Sequence, residues 1–495
     1  PRHTGDFCFF RVYTAPDGSP APYAPANVPL RPRRVAPVAT GGYREGDFCM
    51  TLGYPGETRR YLSSWGVDEH MRHTNQARID VRTLKLDIWR QAMRRNDSLR
   101  LKYAAKYDAS SNYWKNSIGT NRALARLGVV RRKRQAEQRL AQRLESAADS
   151  SARLLPALAR AYADRREAHR AEAYFAETFL DGPDLLQLAL TVLSLDLGAE
   201  PRQVEAQLRH VADLYAATDT ALDRTVFAAL LRQYRSKVPS RYLPAFYAAI
   251  DSCHGGDERA FVDSVYAATQ LATPAGLHRH LSHDAAYDIY ADPAVSLALD
   301  LVSSMFDFAL ATRRASLTID SCERVLGQAM RRMDARRRAY PDANATLRLS
   351  FGTVAGCWAA DAVDYACYTT VRGVLEKART HAGDPDFSLQ PALSRLLSGG
   401  DYGPYADPAS GEMHVCFLTT NDITGGNSGS AIFNARGELL GLAFDSNWEG
   451  LAGDFLYDPA RQRTIGVDIR YVLFITDRYA HAPHLLRELE AAGGK

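Results

Sequence analysis

Cysteine is scarce, with seven in 495 residues, and none stands in a Cys-x-x-Cys pair or at metal-ligand spacing. Positions 8, 49, 253, 322, 357, 367 and 416 form an odd, scattered set, so neither a disulfide framework nor a metal site follows, and nothing calls for a cofactor. A charge excess is missing too: 61 basic against 57 acidic residues leave +4, which gives no strong field for nucleic acid or a membrane surface. The run Arg131-Arg132-Lys133-Arg134 leads into a Gln-, Glu- and Arg-rich helical stretch and reads as a solvated face. Long hydrophobic runs are lacking. The longest, near Leu185–Leu195, is interrupted by Gln187, Thr191 and Ser194 and is too short to span a bilayer. No fixed-length repeat recurs, which leaves a solenoid unsupported. The chain opens Pro1-Arg2-His3-Thr4 with no apolar leader. That beginning reads as a processed or shortened N-terminus, so the missing signal peptide carries no information about export.

What is present is ordinary for a globular protein, 46% apolar and 24% charged residues, in a length that calls for two or more units. Three regions differ in pattern. Residues 1–58 read as strands and turns: Phe7–Tyr13 alternates and is aromatic-rich, Pro16–Pro37 is a Pro-rich loop, and Asp47–Leu52 ends at the Gly53-Tyr54-Pro55-Gly56 turn. Residues 59–345 take a helical period. Val81, Leu84, Ile88 and Ala92 share one face, as do Val204, Leu208, Val211 and Leu214, and Leu299, Val302, Phe306 and Leu310. Helix starts are expected after Asp184, Glu200 and Asp292. Residues 346–495 return to short strands, Thr346–Ser350, His414–Leu418, Ala431–Phe433 and Leu439–Phe444, and close on an amphipathic stretch, Ile469–Glu490. The simplest organisation is an α+β protein in which a large all-α insertion interrupts a β-rich domain.

The segment Thr424-Gly425-Gly426-Asn427-Ser428-Gly429-Ser430 carries the strongest chemical signal. Glycines on both sides allow the backbone to push the Ser428 hydroxyl out of a tight turn and let a substrate carbonyl approach the main chain. In chymotrypsin-like peptidases the oxyanion hole is built from the amides of the nucleophile and of the residue two before it, here Ser428 and Gly426. A nucleophilic serine needs a base, and the base needs an orienting carboxylate. The carboxylate candidate is Asp6, although an Asp beside Gly is also an ordinary turn former. The base is harder to find: His3 is only three residues from Asp6, His414 falls in a core strand, and the histidines at 70, 73, 169, 210, 254, 278, 280 and 283 lie in the helical region. In the chymotrypsin order the base precedes the Asp, and so it is expected before residue 1.

Six segments together resemble the bacterial dipeptidyl-peptidase 7 and dipeptidyl-peptidase 11 family of serine exopeptidases, peptidase family S46. They are PRHTGDF (1–7), GDFCMTLGYPG (46–56), SSNYWKNSIG (110–119), TGGNSGS (424–430), FDSNWEG (444–450) and RTIGVDIRYVLF (463–474), in the expected order. The resemblance implies a chymotrypsin-like β-barrel peptidase domain, its first barrel largely missing here, interrupted by an all-α domain that covers the cleft. It implies action on peptides with a free N-terminus, a periplasmic location, a homodimer, and no nucleic-acid partner or membrane insertion. It assigns Ser428 as nucleophile and Asp6 as the catalytic Asp. It puts the catalytic His on an N-terminal His-His-Cys segment absent from this chain, which is then inactive alone.

The resemblance also assigns Asn112 and Asp445 to the substrate's ammonium group. Ser446 stands at the first specificity pocket, where the family carries Gly for apolar and Arg for acidic side chains. Ser lacks the guanidinium fork, which points to a broad or apolar preference. Phe444 matches an aromatic linked to apolar preference at the substrate's N-terminal residue. Trp114 and Trp448 are expected to pack next to the site. Two other readings stay open: a chymotrypsin-like endopeptidase with a helical regulatory domain, and a non-catalytic helical peptide-binding protein.

Overall fold

A computed structural model describes residues 2–147, 150–196, 201–281, 288–333 and 340–493. It divides into two units, Pro1–Arg60 with Tyr340–Lys495, and Tyr61–Ala339. The first is built on seven antiparallel strands: β1 (Phe48–Gly53), β2 (Arg348–Thr353), β3 (Tyr368–Thr370), β4 (His414–Thr419), β5 (Ser430–Asn434), β6 (Leu439–Ser446) and β7 (Thr464–Asp468). Their order is β2-β1-β5-β6-β7-β4-β3. Just past β2, Val354 bridges Thr419 of β4, with Thr420 N–H donating to the Thr353 carbonyl (2.9 Å) and Ala355 N–H to that of Leu418 (3.0 Å). Six strands thereby close into a ring of pairings.

Strand burial follows from side-chain alternation. In β1, Cys49 and Thr51 point inward and are fully buried, while Phe48 and Leu52 face out. All six residues of β4 are buried, which explains its unbroken apolar reading. The expected strand over Phe7–Tyr13 does not form. Only Tyr13–Thr14 pairs, with Val28–Pro29, and Phe9 and Phe10 are exposed. The Pro-rich loop that follows offers too few N–H donors to extend a ladder beside it.

Below the ring, Asp468 caps helix Ile469–Phe474 through the Arg470 amide (2.8 Å) and also pairs with the Arg470 guanidinium (2.7 Å), which is 1% exposed. Asp407 takes the other side of Arg470 at 3.0 Å. The VDIR part of the 463–474 segment is thus a buried ion-pair centre, satisfied on both sides as such charges must be.

The second unit is helical. Its main elements are α1 (Asn75–Arg95), α2 (Asp97–Leu127), α3 (Leu154–Phe175), α4 (Asp184–Asp196), α5 (Pro201–Ala217), α6 (Thr220–Lys237) and α7 (Pro293–Met333). The starts at Asp184, Pro201 and Pro293 match the signals in sequence, although Glu200 itself lies outside the described residues. Val211 and Leu214 point into the core as expected. On α1 the expected face does pack on the core, with Val81 fully buried and Leu84, Ile88 and Ala92 half-buried against it, but the buried side also takes in Ala77, Leu86, Trp89 and two cations, Arg82 and Lys85. One face was misjudged. On α7 most of the expected face is outward: Leu299, Phe306 and Leu310 are 39%, 67% and 69% exposed and Val302 alone of the four packs on the core, while Val295, Ala298, Leu301 and Phe308 form the core side. This helix is apolar around most of its circumference, and periodicity alone cannot choose a side. By length and composition it is also apolar enough to cross a bilayer, a test that core helices of globular proteins pass as well.

Candidate active site

Ser428 is exposed at the tip of the turn between β4 and β5. Gly426 and Gly429 hold φ of 101° and 82°, a region open to glycine but strained for other residues. A Cβ at Gly426 would lie 2.5 Å from the Tyr54 carbonyl oxygen and 2.8 Å from the Gly56 nitrogen. The Gly53-Tyr54-Pro55-Gly56 turn therefore packs directly beneath the bend, and Gly56 N–H donates to the Gly425 carbonyl at 2.6 Å. Buried Asn427 pins it from inside: its Oδ1 accepts from Thr424 N–H (3.3 Å) and its N–H donates to the Thr424 carbonyl (3.1 Å). Among the described residues the amides of Gly426 and Ser428 have no internal acceptor, and the Ser428 hydroxyl has no partner. Two free N–H groups flanking an exposed hydroxyl form a receptor for developing negative charge.

The bend is tied to β6, since Gly429 N–H donates to the Ala443 carbonyl at 2.7 Å. Immediately after Ala443 the β6–β7 pairing shifts register, and such a bulge re-aims the side chains that follow. Those are Phe444, Asp445 and Ser446, all half-buried. Phe444 packs against the core below the ring. Asp445 Oδ1 accepts the Ser446 N–H (2.7 Å), and Oδ2 pairs with Arg2 at 2.6 Å. Trp448 follows in a short turn and is 43% exposed.

Through Arg2 the segment that carries Asp6 is attached to the same strand. Thr369 of β3 donates to the Arg2 carbonyl (2.8 Å), Cys416 of β4 to that of Thr4 (3.1 Å), and Gly5 sits against the Tyr471 ring where a Cβ would not fit. His3 lies against Gly373, and burial, with Lys377 adding to it, pulls its imidazole down to about 4. Asp6 is exposed and makes no hydrogen bond with a described residue. His414 is no base for Ser428: it is buried, stacked on Tyr368, and bonded to Tyr43 (3.2 Å). The first unit therefore joins Ser428, Gly426, Phe444, Asp445, Ser446 and the Asp6 segment in one connected structure.

Asn112 is exposed on α2 of the helical unit; beside it Tyr113 lies under the Arg78 and Arg82 guanidinium groups, and the Trp114 N–H bonds Thr83 at 2.8 Å. Several polar residues that support the bend gave no signal in sequence. Thr424 Oγ1 donates to Asp454 (2.5 Å), whose carboxyl burial pushes above the usual range. Two residues before Thr424, Asp422 takes both Arg60 guanidinium nitrogens (2.5 and 2.8 Å) and the Tyr340 hydroxyl (2.8 Å). Their partners are 30 to more than 300 positions away, a separation that no local pattern encodes.

Sequence and fold both match known proteins over nearly the whole chain. The family model for peptidase S46 matches residues 1–491. The chain is 38% identical over 497 residues to dipeptidyl-peptidase 7 of Porphyromonas gingivalis, covering 99% of this chain and 69% of that protein. It is 33% identical over 504 residues to an Asp/Glu-specific dipeptidyl-peptidase of Flavobacterium psychrophilum, with 99% and 69% covered. The crystal structure of Porphyromonas endodontalis DPP11 with the dipeptide Arg-Glu superposes with a TM-score of 0.88 at 30% identity, over 99% of this chain and 71% of that one.

Proposed function

The chain belongs to the peptidase S46 family, and from that premise we propose that it acts as a serine exopeptidase releasing dipeptides from free peptide N-termini. The observation that carries the reading is the exposed Ser428 hydroxyl between two amides without internal acceptors. In this scheme Ser428 Oγ attacks the scissile carbonyl, and its proton passes to an imidazole oriented by Asp6. The oxyanion is held by the Gly426 and Ser428 N–H groups, the dipeptidyl ester forms as the amine leaves, and water then releases the dipeptide. Each oxyanion donor in such a site is worth roughly 10²–10³ in kcat. The imidazole is assigned to the His-His-Cys segment of the family, which is not among these 495 residues. The unpartnered, exposed Asp6 carboxylate suits that role. We read the strand ring as the second barrel of a chymotrypsin-like fold.

Exopeptidase action needs a receptor for the substrate's ammonium group. Asp445 is the candidate, on the strand bonded to the nucleophile bend. A carboxylate has about four lone-pair sites, so Asp445 can accept an ammonium beside Arg2 and the Ser446 N–H. Such a charge-assisted bond contributes about 1.5–3 kcal/mol. Asn112 is assigned to the same group on its segment match alone. Ser446 and Phe444 would favour a broad or apolar side-chain preference over an acidic one, since no guanidinium stands at position 446. The periplasmic location and the homodimer belong to the same reading. It is tested with the full-length protein on paired peptides that differ only in N-terminal acetylation. The free peptide should lose dipeptides stepwise and the acetylated one should be inert; equal turnover of both would mean an endopeptidase.

A further inference from the structure

The helical unit contains a cavity of about 560 Å³ between α1, α2, α5 and the 181–187 segment, within the size range of small-molecule sites. Its polar wall is unusual. Arg82 and Lys85 are 7% and 3% exposed, and the Arg78 guanidinium lies beside them. Glu177 accepts from Arg78 (2.8 Å) and Arg82 (2.6 Å), and Asp181 reaches Arg82 at 3.1 Å. Among the described residues Lys85 has no carboxylate within ion-pairing distance: its ammonium donates to the Asp181 backbone carbonyl and lies 5.1 Å from the centre of the Trp89 ring. Three cations thus face two carboxylates. Lys106 and Asp184, also in the wall, pair with each other at 2.6 Å and leave that excess unchanged.

A buried ammonium without a counter-ion is costly unless something compensates it. A second group in the same wall is also unsatisfied, the Ser110 hydroxyl, which is buried and without a hydrogen-bond partner among the described residues. At this end of the cavity one positive charge in excess and one idle hydroxyl call for a ligand with a single carboxylate. At the open side Asp213 is exposed and unpaired among the described residues, a receptor for a cationic group on the same ligand. Trp89 and Leu214 supply apolar surface between.

We propose that this cavity binds a free dipeptide as a zwitterion, its carboxylate at Lys85, Arg82 and Ser110 and its ammonium at Asp213. The carboxylate and ammonium requirements come from the cavity; the choice of a dipeptide rests on the function proposed above, whose product it would be. Nothing in that scheme uses these residues, so the cavity is a second peptide site, in the helical unit.

The test is isothermal titration of the full-length protein with Ala-Phe, its C-terminal amide, its N-acetyl form, and inorganic phosphate. Amidation, or Lys85→Met, should weaken binding about 10- to 100-fold, the loss expected for a bond to a charged group. Acetylation, or Asp213→Asn at the exposed rim, should weaken it less, and Asp445→Asn should leave it unchanged. Since Asp213→Asn removes no buried contact, it decides the matter even if Lys85→Met fails to fold. Absence of Ala-Phe binding, binding indifferent to amidation, loss of binding in Asp445→Asn, or phosphate binding in its place would each overturn the proposal. Failure of the exopeptidase reading appears separately, as missing turnover of free peptides.

Discussion

In the sheet unit the groups assigned to chemistry are set by the backbone: two glycines at positive φ, two amides without internal acceptors, and a bulge that re-aims Phe444, Asp445 and Ser446. In the helical unit the polar groups of interest are long side chains on α1 and α2, buried among one another at helical spacing. The sheet unit also buries charge, but there Arg470 has carboxylates on both sides, whereas Lys85 has none among the described residues. A buried charge that is fully paired belongs to the architecture. One left unpaired beside a cavity belongs to something that has yet to arrive.

The contrast can be broken most severely at the bend. Ser428→Ala in the full-length protein should lower kcat by about 10⁴–10⁶, and Gly426→Ala, which forces a Cβ toward the Tyr54 carbonyl, by about 10²–10³. Steady-state turnover of a free-N-terminus peptide measures both. Loss of binding with unchanged kcat would instead make the bend a docking feature.

Next come two of the buried cations, Arg470 and Lys85. Asp468→Ala leaves the buried Arg470 charge with Asp407 alone and removes the helix cap, and should cost about 3–5 kcal/mol in urea unfolding. Lys85→Met should do the reverse. Burial, with Arg82 adding to it, lowers the Lys85 ammonium to about 8. The unfolded chain therefore holds its proton more firmly than the folded one. The penalty is fully present below pH 8 and disappears as pH rises toward the ordinary lysine value near 10.5. At pH 7 the variant should be up to about 2–3 kcal/mol more stable than the parent, a gain that fades by pH 10.5. A destabilised Lys85→Met at neutral pH would show that its contacts outweigh its desolvation.

The smallest effect concerns His3. Its folded value, about 4, lies below the unfolded one. The docked Arg2–Phe7 segment therefore stays neutral while a detached one protonates, and docking weakens as pH falls from about 6.5 to 4. Hydrogen exchange of residues 2–7 should rise across that window and should stay flat in His3→Phe.

Much of the sheet unit was legible in sequence because its signals are local. Gly426 and Gly429 announce a tight bend, and β4, β5 and β6 lie within two residues of the short apolar runs that marked them. Phe7–Tyr13 misled because alternation says nothing about whether a partner strand exists. In the helical unit the starts at Asp184 and Pro293 were visible, since caps and prolines are local too. The core side of α7 was not. Leu299, Phe306 and Leu310 turn outward because α7 offers more apolar surface than one core can cover. The burial of Arg82 and Lys85 has no local signal, because Glu177 and the Asp181 carbonyl are almost a hundred positions away. Asp454 and Asp422 escaped notice for the same reason.

The most direct measurement is fluorophosphonate labelling of the full-length protein followed by peptide mass mapping. A serine activated between two free amides should carry the adduct at Ser428, and Ser428→Ala should remain unlabelled. Adduct on a different residue, or equal labelling of the Ser428→Ala protein, would contradict a nucleophile at this bend.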